Sequence, residues 1–213
     1  MTAHVFKHPF SCLIAGPSQS GKTTFVERLI NHCAEMISPP PNSVVWHYAE
    51  FQPAYERMMD VVTFKKGVPT DAQLKSYSGN LVIIDDLMSE MANVSSDIFT
   101  KHVHHSHMSV IYIVQNLFNC AKNHRTMSLN ANYIVLFKNP RDKAQVSFLA
   151  RQVFPHKPKI LQEAYNDATS QPHSYLLLDF QQLTPENRRL KSEIFPGENQ
   201  FIYVEKDIKT RSV

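Results

Sequence analysis

The chain has 213 residues, of which 43% are hydrophobic and 19% are charged, a composition typical of a folded globular protein and not of a disordered chain. Its apolar runs fall well short of the roughly 18 residues that a membrane helix needs, and residues 2–9 lack the apolar core of a signal peptide. We therefore expect no membrane span, no secretion and an intracellular location. The formal net charge of +3 is too small to indicate a nucleic-acid partner by itself.

Short apolar runs alternate with amphipathic segments along the first 155 residues. Apolar, β-rich composition predicts strands at residues 10–15, 44–48, 61–64, 81–84, 110–114 and 133–137. Helical spacing predicts helices at 23–35, from Ser95 or Ser96 to about 107, at 142–154 and at 160–168, and two further strands are predicted at 175–178 and 201–204. The alternation predicts an α/β fold with a mostly parallel sheet and helices on both faces. We expect one domain over 1–213, with a core at about 8–155 and the extension 156–213 packed on it.

Residues 16–23 carry the full pattern of a phosphate-binding loop, the Walker A motif. Gly16, four further residues, Gly21, Lys22 and Thr23 stand between a predicted strand and a predicted helix, which is the context the motif requires. Glycines let backbone amides turn inward around phosphate, and the helix N-terminus adds partial positive charge. The alternative, a glycine turn that happens to precede a helix, is disfavoured because two of only five glycines in the chain occupy the motif. We expect ATP to contact Gly16, Pro17, Ser18, Gln19, Ser20, Gly21, Lys22, Thr23 and Thr24.

Polar side chains follow the next two predicted central strands. Asp85, at the end of an apolar run, is predicted to bind Mg²⁺ together with the Thr23 hydroxyl, while Lys22 contacts the β- and γ-phosphates. Asp86 is then the candidate base or water-positioning residue. Gln115 ends the following strand at the same predicted edge and is a candidate sensor. The alternatives are that the acidic pair only turns into solvent and that Gln115 caps the next segment.

Taken in order, the phosphate loop at 16–24, the double acid ending the 81–86 run and the glutamine of Gln115-Asn116 resemble the FtsK/HerA superfamily of DNA-pumping ATPases. The small size is most similar to the poxvirus-type genome-packaging ATPases, including those of Polinton/Maverick elements and adenovirus-like viruses. The resemblance covers roughly residues 8–155. It implies an ASCE/RecA-like core, a homo-oligomeric ring and ATP hydrolysis that moves double-stranded DNA into a capsid. Capsid or portal-like partners, at a virion assembly site or in the host nucleus or cytoplasm, are implied with it.

The resemblance also implies that an arginine from an adjacent subunit completes each site by stabilising charge on the transferring phosphoryl group. Arg125 and Arg141 are the candidates, and Arg151 is a weaker one. For each of them the alternative is a solvated surface residue or an ordinary salt bridge. DNA contact is less visible, because Lys138, Arg141, Lys143 and Arg151 are dispersed, although a ring can gather weak positive patches that a monomer does not display.

Two other clusters of polar residues receive bland interpretations. The basic run Arg188-Arg189-Leu190-Lys191 is interpreted as a solvated face, or as a segment that extends the sheet edge or touches a neighbour. The second cluster is a set of histidines in a predicted helix, His102, His104, His105 and His107. Only residues three or four apart share a helix face, and no acidic or cysteine ligand is suitably spaced. A polar helix face is therefore favoured over a metal site for these histidines.

Two other functions remain open. A small-molecule or nucleoside kinase shares the phosphate loop but transfers phosphate to a bound acceptor beneath a charged lid. A nucleotide-binding assembly subunit would bind ATP without hydrolysis or translocation. Asp85, Asp86 and Gln115 favour water as the acceptor over the kinase alternative. The complete set of Lys22, Thr23, Asp85 and Asp86 favours hydrolysis over a subunit that only binds ATP.

Overall fold

The computed structural model describes residues 4–87, 107–117 and 129–205. The strands are β1 (Phe6–Lys7), β2 (Ser11–Ala15), β3 (Ile37–Ser38), β4 (Val44–Tyr48), β5 (Val62–Lys66), β6 (Leu81–Asp85), β7 (Ser109–Val114), β8 (Tyr133–Phe137), β9 (Tyr175–Asp179), β10 (Leu190–Ser192) and β11 (Phe201–Tyr203). The helices are α1 (Lys22–Asn31), α2 (Cys33–Met36), α3 (Asp71–Ser76), α4 (Ala144–Val153) and α5 (Lys159–Ala168), with 3-10 turns at Pro53–Met58 and Glu186–Arg188. Within the described ranges, no helix combines the length and apolar character that crossing a membrane requires.

One nine-stranded sheet organises the molecule, in the order β11-β10-β9-β8-β2-β7-β6-β4-β5. The strands from β8 to β5 all pair in parallel, and β9, β10 and β11 add an antiparallel extension at one side. β7 is inserted between β2, which leads into the phosphate loop, and β6, which ends at Asp85. This is the strand order of the ASCE/RecA-like P-loop fold, so the predicted fold class is confirmed.

The central strands are almost entirely apolar, with Ser109 at the start of β7 and Asp85 at the end of β6 as polar residues, and both faces of the sheet are covered. Every residue of β6, β7 and β8 is buried, as expected for strands between two helical layers. On one face the sheet packs against α1, α2 and the 53–58 turn. On the other face it packs against α3, α4 and α5. Helices therefore lie on both faces, as the alternating pattern predicted.

Most predicted elements are observed with shifts of one or two residues, and the differences have local causes. The predicted helix 23–35 is split, because the chain leaves helical geometry at His32 and begins α2 at Cys33. α3 was not predicted, although Thr70 and Gln73 form a capping box at its start. The predicted helix from Ser95 or Ser96, and with it His102, His104 and His105, lies outside the described residues. His107 is described and lies in a turn before β7.

The basic run at 188–191 belongs to the sheet extension. Lys191 is 8% exposed, and its Nζ donates to Asp179 Oδ2 at 2.8 Å and lies 3.2 Å from His4 Nδ1. Interpretation of this run as a solvated face is therefore wrong for Lys191. The reason is tertiary: β10 pairs with β9, which brings Lys191 beside Asp179. The alternative that this segment extends the sheet is confirmed.

Replacing Lys191 by Met should strongly destabilise the protein. The substitution leaves the buried Asp179 carboxylate without its charged partner, and removing one member of a buried ion pair costs about 3–5 kcal/mol. Urea denaturation should therefore give an unfolding free energy lower by about that amount. Arg188→Met is the matched control, since Arg188 is exposed in the same run. Equal losses for the two variants would show that the Lys191–Asp179 pair contributes nothing specific.

Candidate functional site

The phosphate loop connects β2 to α1 in a close approach to β8. A Cβ at position 16 would lie 2.7 Å from the Phe137 Cβ and 2.7 Å from the Ser20 Oγ, so the backbone at Gly16 leaves no room for a side chain. Gly21 caps α1 with a φ of 108°, in the left-handed region that glycine adopts without steric cost. The two glycines of the motif are therefore required by packing and by backbone conformation.

Lys22 begins α1 and turns back over the loop that precedes it. Its Nζ donates to the Gly16 carbonyl oxygen at 2.6 Å and to the Pro17 carbonyl oxygen at 2.8 Å. Burial lowers the pKa of the Lys22 ammonium, while the carboxylates of Asp85 and Asp86 act in the opposite direction. The ammonium is thus held between the loop and the acidic pair, where it can meet a phosphate group.

Asp85 ends β6 and is 4% exposed. Its Oδ2 accepts a hydrogen bond from the Tyr55 hydroxyl at 2.6 Å. Burial raises the pKa of the Asp85 carboxyl, and this is opposed by the Tyr55 hydrogen bond and by the charge of Lys22. A carboxylate in such a position is stabilised when a cation lies against it.

Asp86 follows directly and turns its side chain toward the end of β7. Its φ is 55°, a left-handed conformation that aspartate tolerates better than most residues. The side-chain amide of Gln115 donates from Nε2 to Asp86 Oδ2 at 3.2 Å. Both side chains are exposed, so the pair faces the space above the sheet edge.

A cavity of about 220 Å³ brings most of the predicted catalytic residues together. It is lined by Ser18, Gln19, Lys22, Thr23, Gln52, Asp85, Asp86, Ile113, Val114 and Gln115. The lining includes two hydroxyls and two carboxylates, which suit Mg²⁺ because it takes oxygen ligands and is usually held by one or two carboxylates plus substrate phosphates. The Lys22 ammonium suits the phosphates themselves. The chemistry of the residues present therefore fits the predicted metal and nucleotide.

A second cavity, of about 480 Å³, lies on the other side of Lys22 and Thr23. Its lining consists of Gln19, Gly21, Lys22, Thr23, Thr24, Phe25, Arg28, Gln52, His173 and Tyr175. Thr24, a predicted contact, lies here and not in the smaller cavity. Gly16 borders neither cavity and instead packs against β8, while Pro17 and Ser20 lie within the loop.

The two candidate arginines within the described residues, Arg141 and Arg151, line neither cavity beside the loop. Arg141 is exposed in the connection between β8 and α4. Arg151 is exposed on α4, with its guanidinium 5.9 Å from the centre of the Phe148 ring. Arg125 lies outside the described residues. The assignment of an arginine to the phosphoryl group stays a prediction.

Sequence reasoning did not identify two residues that border the acidic pair. Gln52 lines both cavities, and its only sequence signal is that a polar residue follows the end of β4. Tyr55 is fully buried and packs against Trp46 and Phe64 with ring centroids 5.1 and 4.9 Å away. The sequence around Tyr55 gives no sign of a role at the site, because Tyr55 reaches Asp85 only through the 53–58 turn.

Comparisons with known proteins assign no function to the chain. No family model matches the sequence, and no curated protein matches it. Among solved structures, the chain is similar to the flagellar accessory protein FlaH from Methanocaldococcus jannaschii, at 12% identity and a TM-score of 0.46. The alignment covers 63% of this chain and 75% of that chain. The fold class therefore rests on the strand order and the phosphate loop themselves.

Tyr55→Phe should weaken metal binding without unfolding the protein. The change removes the hydroxyl that donates to Asp85, so the pKa of the Asp85 carboxyl should rise further and protons should compete with the metal up to a higher pH. Loss of a residue that orients a metal ligand typically costs about tenfold or more in metal affinity. The measurement is the Mg²⁺ concentration that supports half-maximal ATP binding, as a function of pH.

Tyr48→Phe is the matched control for this substitution. Tyr48 packs in the same aromatic cluster, with its ring centroid 5.7 Å from that of Tyr55, and its change leaves the Tyr55–Asp85 contact intact. We expect this control to have wild-type Mg²⁺ dependence. If the Mg²⁺ concentration for half-maximal ATP binding is the same in Tyr55→Phe as in the wild type, at low pH as well as at neutral pH, Tyr55 does not support the proposed metal site.

Proposed function

We propose that this chain is a Mg²⁺-dependent ATPase that acts as a DNA-translocating motor. The observation that carries the ATPase proposal is the single cavity shared by Lys22, Thr23, Asp85, Asp86 and Gln115. These residues come from the phosphate loop and from the ends of two strands, and they span 93 positions in sequence, from Lys22 to Gln115. Each has the chemistry that phosphoryl transfer to water requires.

The chain's own residues divide the work of hydrolysis. The amides of the loop and the Lys22 ammonium bind the phosphates and offset their negative charge. The Thr23 hydroxyl and the Asp85 carboxylate would hold Mg²⁺, which when bound supplies further charge neutralisation at the β- and γ-phosphates. Tyr55 keeps the Asp85 carboxylate oriented.

Asp86 is proposed to accept a proton from the attacking water. The water oxygen forms a bond to the γ-phosphorus, the bond from that phosphorus to the bridging oxygen breaks, and ADP leaves with the bridging oxygen. Gln115 donates to one oxygen of Asp86, which orients the carboxylate and leaves its other oxygen free to face water. The Asp86–Gln115 contact also offers a route by which the state of the γ-phosphate reaches β7.

The motor part of the proposal rests on the resemblance of the motifs to the FtsK/HerA packaging ATPases. Three of the cations considered for DNA contact, Lys138, Arg141 and Lys143, are exposed beyond the carboxyl end of β8. This is the same edge of the sheet as the phosphate loop, so DNA held there would lie near the nucleotide site. A ring would multiply this modest charge into a surface that binds the DNA backbone. Such a ring would also supply an arginine from the neighbouring subunit.

Two substitutions separate binding from hydrolysis. Lys22→Ala should weaken Mg-ATP binding by about 100-fold, because charge-assisted hydrogen bonds are worth about 1.5–3 kcal/mol each. Asp86→Asn should leave Mg-ATP binding unchanged and lower turnover by about 10²–10⁴-fold, the range of general base catalysis. Asp60→Asn, which alters an exposed carboxylate, is the control. Full turnover in Asp86→Asn would refute the role of Asp86.

A DNA-stimulated ATPase assay with size measurement on the same sample tests the motor. We expect double-stranded DNA to accelerate phosphate release, the acceleration to fall as salt is raised, and the stimulated species to be larger than a monomer. Phosphorylation of an added nucleoside without DNA stimulation would instead establish the kinase alternative. Tight ATP binding with assembly but no phosphate release would establish the assembly subunit.

A further inference from the structure

The turn before β9 brings the C-terminal extension to the phosphate loop. β9 runs antiparallel to β8, with Tyr175 opposite Phe137, so the start of β9 lies at the edge where β8 ends. The Lys138 ammonium donates to the Ser170 carbonyl oxygen at 3.0 Å, and the Ser174 hydroxyl donates to the Gln171 carbonyl oxygen at 2.7 Å. Residues 170–174 are therefore held beside the end of β8 by local contacts.

His173 is the residue of this turn that lies against the loop. A Cβ at position 21 would stand 3.3 Å from the His173 Cβ, so the glycine that caps α1 leaves room for this side chain. His173 itself has a φ of 62°, and its side chain is exposed along the rim of the 480 Å³ cavity. Below it, the Tyr175 ring packs edge-on against Phe25 with centroids 4.8 Å apart, which fixes the floor of that cavity.

The two cavities beside the loop share four lining residues. Both are bordered by Gln19, Lys22, Thr23 and Gln52, so a ligand whose phosphates lie on the loop can extend from one cavity into the other. The smaller cavity contains the acidic pair and Gln115, which suit the reacting end of a triphosphate. The larger one has the volume of a small-molecule site, for which about 300–1,000 Å³ is usual, and carries an aromatic ring on its rim.

We propose that the larger cavity binds the nucleoside of a nucleoside triphosphate, and that the His173 ring is the surface on which the base stacks. This proposal rests on the proposed function, because it requires triphosphate on the loop. It also gives the C-terminal extension a role: the turn 170–174 supplies one wall of the nucleotide site. Arg28, at the far side, is engaged by Glu198 and lies over the Phe195 ring, so it serves as a fixed wall.

Stacking has a consequence for base specificity. Strong discrimination between bases requires buried polar groups that are left unpaired by the wrong base. In the described part of the chain, the polar side chains that line this cavity away from Lys22 and Thr23 are of two kinds. Gln19, Thr24, Gln52 and His173 are exposed, whereas Arg28 is paired with Glu198 and the Tyr175 hydroxyl accepts from the Ile194 amide. A ring that stacks on any base face tolerates exchange of the base. We therefore expect Mg-ATP and Mg-GTP to bind with affinities within about tenfold of each other.

Comparing ATP with inorganic tripolyphosphate isolates the nucleoside contribution. Dissociation constants for Mg-ATP, Mg-GTP and Mg-tripolyphosphate are measured on the full chain and on His173→Asn. Asparagine tolerates a left-handed backbone and removes the ring. We expect His173→Asn to weaken both nucleotides about tenfold, equivalent to about 1.4 kcal/mol, and to leave tripolyphosphate binding unchanged. His173→Phe, which keeps an aromatic face, should retain most of the affinity, and His156→Asn, an exposed histidine away from both cavities, should behave as wild type.

The possible results separate this proposal from the one beneath it. If wild-type protein binds neither Mg-ATP nor tripolyphosphate in a Lys22-dependent way, the proposed function fails and this inference fails with it. If ATP binds but His173→Asn leaves the ratio of ATP to tripolyphosphate affinity unchanged, only the nucleoside site is overturned. If that unchanged ratio comes from equal weakening of both ligands, His173 would have only a structural role in supporting the phosphate loop. A Phe variant as weak as the Asn variant, or a 100-fold preference between ATP and GTP, would overturn stacking as the mode of contact.

Discussion

The parallel pairing of β2, β7 and β6 fixes the distance between the phosphate loop and the acidic pair. Ala15, the last residue of β2, is opposite Val114, and Ile113 is opposite Asp85. Three strands in this register end at one edge, so their next residues emerge together. The loop, Gln115 and the carboxylates of Asp85 and Asp86 therefore meet around a single cavity without any long side chain having to reach for another.

Holding this cavity open has a cost in stability that the surroundings offset. Asp85 is buried, which raises the pKa of its carboxyl, and Gln19 and Asp86 have left-handed backbone conformations beside it. Such conformations are sparsely populated and persist only where the neighbouring structure enforces them. Here the enforcement comes from the covered parallel sheet below and from the aromatic packing of Tyr55 against Trp46 and Phe64. A site of this kind is arranged for binding charge and not for maximal stability.

The antiparallel extension β9–β11 adds a wall beside the phosphate loop of the parallel core. Because β9 runs antiparallel to β8, the turn before β9 lies at the edge of the sheet that carries the phosphate loop. The last residue of β9, Asp179, lies at the opposite edge beside Lys191. One strand thus carries a cavity wall at one end and a buried ion pair at the other. The Lys191–Asp179 pair ties β10 to β9, and β9 in turn places His173. The extension is consequently part of the architecture of the proposed nucleotide site.

The sequence by itself determined the fold class and which residues lie together at the centre of the candidate site, because both depend on local patterns. Continuous apolar runs predict strands that are buried on both faces, and glycine, lysine and threonine at fixed spacing predict a phosphate loop wherever a strand precedes and a helix follows. Asp85, Asp86 and Gln115 were predicted to meet because parallel strands end at one edge. Only the tertiary structure decided the contacts of Tyr55, Lys191 and His173. Each of these reaches a partner at least 12 positions away through a turn or a strand reversal, and no local spacing encodes the direction in which the chain returns.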